Sequence, residues 1–74
     1  MMTAQAAREQ REYAELLVKA QSRIQAEVEG GYSVALVSIR ESPGKAVQRV
    51  MDMLESRGYS IIIREGEHMR ISWR

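Results

Sequence analysis

There is no cysteine in this chain, so disulfide staples and zinc–thiolate centres are both excluded. The single histidine, His68, rules out clusters of imidazole ligands and Cys–His nucleophiles. Phenylalanine is absent too. Tyr13, Tyr32, Tyr59 and Trp73 are the whole aromatic supply, thin material for a platform that stacks nucleic-acid bases. No apolar run nears the roughly 18 residues of a membrane span. The opening "MMTAQAAREQ" lacks the apolar segment of a secretion signal. The expected location is therefore the cytoplasm, with no membrane partner.

Net charge is only +1, which gives no reason on its own to expect nucleic acid. Residues 1–31 carry four cations against five carboxylates, and residues 32–74 seven against five, a mild asymmetry. No repeat, low-complexity tract or linker divides the 74 residues, so 1–74 is expected to be a single domain. A domain this small buries only about 60% of the surface its unfolded chain exposes, leaving little core for a deep pocket. With 45% hydrophobic and 28% charged residues, the composition is that of a folded protein rather than a disordered one.

From Thr3 to Glu29 there is no glycine or proline, and good helix formers dominate. Tyr13, Leu16, Leu17, Ala20, Ile24 and Val28 recur on one stripe, with Glu15 and Lys19 spaced for an i,i+4 pair on the solvent side. Gly30-Gly31 ends this helix. "YSVALVSI", Tyr32 to Ile39, is β-branched and apolar and reads as a strand. A second helix follows over 43–57, with Ser42 as expected N-cap and Pro43 at the first helical position. Its stripe is Ala46, Val47, Val50, Met51 and Leu54, and Gly58 closes it. "YSIIIR" and "HMRISWR", joined by Glu65-Gly66-Glu67, read as a hairpin.

The order α-β-α-β-β predicts a two-layer α/β (α+β) domain with two helices on one face of the sheet. A helical crossover of this length permits parallel first and second strands, connected right-handedly, with the third strand antiparallel to the second. The expectation is a three-stranded mixed sheet. At 1.5 Å per residue the first helix would run about 40 Å against about 22 Å for the second. Its first ten residues are therefore expected to overhang, frayed or docked on something else.

The segment "SIRESPGKAV" holds a Gly-Lys pair that invites a phosphate-loop reading. Such a loop is G-x-x-x-x-G-K-[ST]. Ile39 stands in place of the first glycine and Ala46 in place of the metal-binding hydroxyl. A capped helix start accounts for the residues instead. Glu65, Glu67 and His68 are neighbours in a hairpin loop, where a solvated turn is the simpler account than a metal site. The serines have no partner base placed by sequence. No catalytic constellation emerges, and the expectation is a non-enzymatic protein with no cofactor, no metal and no small-molecule substrate.

Alternation along the strands sorts the sheet faces. Met69, Ile71 and Trp73 share one face with Tyr59, Ile61, Ile63, Ala35, Val37 and Ile39, and the helices should cover it. The opposite face carries Val34, Leu36 and Ile62, rimmed by Arg40, Arg64, Arg70 and Arg74. An apolar centre with an arginine rim is the composition of a protein interface. An ordinary open face with arginine stems lying over a few aliphatics has the same composition. Sequence alone leaves both open. The candidate partner-binding residues are thus Leu36, Ile62, Arg40, Arg64, Arg70 and Arg74, for a protein partner or a second copy of the chain. The alternative is a nucleic-acid-binding regulator using the arginine face.

Residues 24–73 also carry a pattern: Gly31-Tyr32-Ser33-Val34 after a helix, Leu54-Glu55-Ser56-Arg57-Gly58-Tyr59 closing the next, and a terminal Ile71-Ser72-Trp73. This resembles a pattern in small, mostly uncharacterised proteins of tailed bacteriophages. The resemblance implies the same α-β-α-β-β order and a phage setting: a component of the virion or its assembly, or a binder of a host protein. It implies no catalytic residues.

Overall fold

The computed structural model describes residues 2–73. Helix α1 (Ala4–Glu29) is followed by β1 (Val34–Ser38), α2 (Gly44–Ser56), β2 (Ser60–Arg64) and β3 (His68–Ser72). The order and the α+β class are those expected. The 26 residues of α1 set the long dimension of the molecule, whose extents are 43 × 25 × 19 Å.

Local signals explain where each element stops. Thr3 caps α1, its Oγ1 accepting from the Ala6 N–H at 3.1 Å. Both helices end in the same device. The Tyr32 N–H donates to the Glu27 carbonyl and Gly31 to Val28; Tyr59 donates to Leu54 and Gly58 to Glu55. These are Schellman motifs, with φ of 84° at Gly31 and 95° at Gly58, values that a Cβ would strain. At the start of α2 the expectation shifts by one residue. Pro43 is the N-cap, extended at ψ 147°, and no side chain caps the helix. Ser42 instead belongs to the preceding turn, its N–H donating to the Ile39 carbonyl.

The sheet is corrected more deeply. Its order is β1-β3-β2, and both pairings are antiparallel. It is not a mixed sheet. Strands β1 and β2 do run parallel, but β3 lies between them. The physical reason is burial: Met69 and Ile71 of β3 are fully buried, whereas no residue of β2 is. Of the two hairpin strands, the one with the better-covered face takes the centre, where both its edges are hydrogen-bonded; β1, with Ala35 and Val37 equally covered, has its outer carbonyls met by α1 instead.

The core gathers Leu16, Ala20 and Ile24 of α1, Ala46, Val50 and Leu54 of α2, and Ala35, Val37, Ile39, Met69 and Ile71 from the sheet region. Trp73 is half-buried against it and meets Tyr59 edge-on, centroids 6.2 Å apart. Val28 falls off the expected stripe and is exposed, one residue from the end of α1. Glu15 pairs back to Arg11 at 2.9 Å, leaving Lys19 free for the sheet.

Candidate functional site

The register places the candidate residues row by row. Leu36 faces Arg70 across one ladder, and Ile62 faces the same Arg70 across the other. The next row is Ser38, His68 and Arg64; the row on the other side is Val34, Ser72 and Ser60. Neighbouring strands lie about 4.8 Å apart, so Leu36 and Ile62 stand ~10 Å apart with Arg70 between them. The expected continuous apolar strip rimmed by arginine is therefore wrong in detail. It required β1 beside β2. Arg70 is central and half-buried, with an aliphatic on each side.

Leu36 and Ile62 are 49% and 50% exposed, high values for large aliphatics. With Arg64, Glu65 and His68 they line a shallow groove of about 440 Å³. Neither Arg70 nor Arg64 has a carboxylate within ion-pair distance among the described residues. Arg40 lies beyond the end of β1, and its Nε is 4.0 Å from Glu67 Oε1, so its charge is partly answered. Arg74 lies outside the described residues. The structure thus brings Leu36, Ile62, Arg64 and Arg70 together, with Arg40 at the hairpin end.

Two contacts were illegible in the sequence. Lys19 Nζ donates to the Ser38 carbonyl at 2.8 Å, and Arg23 Nε to the Leu36 carbonyl at 3.3 Å. Both cations sit on α1 and cover the outer edge of β1. Spacing alone pairs Lys19 with Glu15 and gives Arg23 no role; that the two cations match alternate carbonyls of an edge strand was not visible.

The Gly-Lys segment and the start of α1 meet each other. Lys45 Nζ is 3.5 Å from Glu9 Oε1, Arg49 reaches Gln10 Oε1 at 3.4 Å, and the Arg49 guanidinium lies 4.2 Å from the Tyr13 ring centroid. From Glu9 onward the supposed overhang is thus used within the molecule. A groove of about 600 Å³ separates the two helix starts, lined by Arg8, Glu9, Glu12, Lys45 and Arg49 among others. Carboxylates on one wall make it a poor phosphate cradle. Gly44 has no positive φ, and a Cβ there would meet nothing within 4 Å. Gly44→Ala should consequently stabilise the fold by about 0.4–1 kcal/mol, while Lys45→Ala, an exposed pair member, should change it by no more than ~0.5 kcal/mol. Urea midpoints check both; a lower midpoint for Gly44→Ala would show that the backbone there needs glycine.

Among the described residues no group of three or more acidic or histidine side chains is placed to hold a metal, and no helix is long and apolar enough to cross a membrane. Comparison of the chain with protein-family models, with curated proteins and with solved structures finds no match.

Proposed function

We propose that this domain is a non-enzymatic protein-interaction module whose working surface is the open face of the sheet. The observation that carries the reading is the cross-strand row Leu36–Arg70–Ile62: two half-exposed aliphatics flanking an arginine without a carboxylate partner among the described residues. A partner that suits it presents apolar side chains around one carboxylate. The guanidinium would then gain a charge-assisted bond in a patch from which the aliphatics exclude water. In the phage setting that the resemblance implies, such a module serves the virion or its assembly, or binds a host protein, and works in the virion or the host cytoplasm.

Nucleic acid fits this face less well. Glu65 lines the same groove, Glu67 sits beside Arg40, and Glu41 follows it in sequence, so the hairpin end offers phosphates carboxylates as well as cations. Salt separates the two readings. Phosphate binding weakens steeply with ionic strength through counterion release, whereas an apolar-centred contact does not. Capture of a partner on the immobilised chain should survive nuclease and roughly 0.5 M salt, where the Debye length is ~4 Å. Loss of the captured material under either treatment would contradict the proposal.

A further inference from the structure

Strand β2, Ser60-Ile61-Ile62-Ile63-Arg64, has three consecutive isoleucines, yet it occupies an edge of the sheet. Ile62 is 50% and Ile63 37% exposed, and Ile61 is only half-buried. Sheets blunt their edges with charge, proline, bulges or a covering element, because a free edge is a template for another strand. The β1 edge is blunted in this way by Lys19 and Arg23.

The β2 edge is not. The Ile39 N–H donates to the Glu67 carbonyl and the Trp73 N–H to the Ser33 carbonyl, so the odd-numbered residues of β3 turn their backbone groups toward β1. Even-numbered residues of β3 must then face β2, and Ser60, Ile62 and Arg64 face them in return. The N–H and C=O groups of Ile61 and Ile63 point outward, with no partner among the described residues.

We propose that this edge pairs antiparallel with the β2 of a second copy of the chain, about a two-fold axis through Ile62, making one continuous sheet of six strands. The strand is its own complement. In this register Ile61 lies opposite the Ile63 of the other copy, and the outward groups of both are satisfied. Ile62 meets its own counterpart on the open face as a close, non-hydrogen-bonded pair. Ser60 meets Arg64, so no like charges oppose each other. A register shifted by two residues would set Ile62 against Ser60 or Arg64 instead. The two-fold contact uses up both free edges and leaves only the blunted β1 edges outside, so assembly stops at the dimer. This pairing is independent of what the open face binds.

The test is the mass of the full chain by sedimentation over a dilution series from roughly 1 mM to 1 µM, with amide exchange followed at Ile61 and Ile63. The expected mass at the upper end is twice 8.5 kDa, with both amides protected at least tenfold relative to the dilute sample. Ile63→Pro removes an outward N–H at an edge position that tolerates proline, and Ile63→Lys adds an edge charge; each should give the monomer mass with an unchanged circular dichroism spectrum. A wild-type mass of 8.5 kDa throughout, species larger than the dimer, or a dimer whose Ile61 and Ile63 amides exchange freely would each overturn the proposal. The exchange result decides even if both variants fail to fold.

Discussion

Replacing Leu54 by alanine should lower the thermal midpoint by roughly 8–40 °C, taking 4–8 °C per kcal/mol for a domain of this size. Leu54 is 2% exposed in the middle of the core, and its carbonyl also accepts the Tyr59 N–H that closes α2. Truncating a buried leucine to alanine costs about 2–5 kcal/mol, the lost transfer energy plus the cavity left behind. At 0.05–0.15 kcal/mol per residue the whole domain is worth only about 4–11 kcal/mol. The variant should thus lose a large share of the domain's stability. A midpoint within ~3 °C of the parent would place Leu54 outside the core.

Ile62→Lys should do the reverse: leave the fold standing and weaken partner binding at least tenfold, about 1.4 kcal/mol. Half of Ile62 is already exposed, and its side chain points away from the helices. The stability change should stay within ~1 kcal/mol, the span of strand preferences. Binding suffers more, because a lysine beside Arg70 adds like charge where the partner's carboxylate and apolar atoms would sit. Because Ile62 also lies on the β2 edge, Leu36→Lys is the companion variant. It changes the same face on the far side of β3. Both must weaken binding if the face is the contact. Collapse of the fold in Ile62→Lys would mean that the face is buried within the monomer.

The elements were legible because their boundaries are written in backbone chemistry. Gly31 and Gly58 supply the positive φ that ends each helix, and the Glu65-Gly66 turn, both residues at positive φ, links β2 to β3. The two-residue alternation correctly separated Met69 and Ile71 from Arg70. Strand order was not legible. A helical crossover can return beside β1 or one strand away, and nothing local in β2 distinguishes the two. What decides is the competition between β2 and β3 for the covered central position, a property of the packed whole. The site inherits that limit. Leu36, Ile62, Arg64 and Arg70 were rightly assigned to one face, but Arg70's place between the aliphatics follows from strand order alone. Lys19 was misread as a partner of Glu15, and Arg23 drew no reading, for a similar reason: their targets are carbonyls of another element.

The most direct measurement of the central claim, that the open sheet face is the working surface, is a side-by-side capture. The full chain and its Leu36→Lys variant, matched by circular dichroism and thermal midpoint, are immobilised and exposed to the same nuclease-treated cell lysate in high salt. One protein should be retained by the parent and reduced at least tenfold on the variant. Equal retention on both, or nothing retained except nucleic acid released by salt, would contradict the claim.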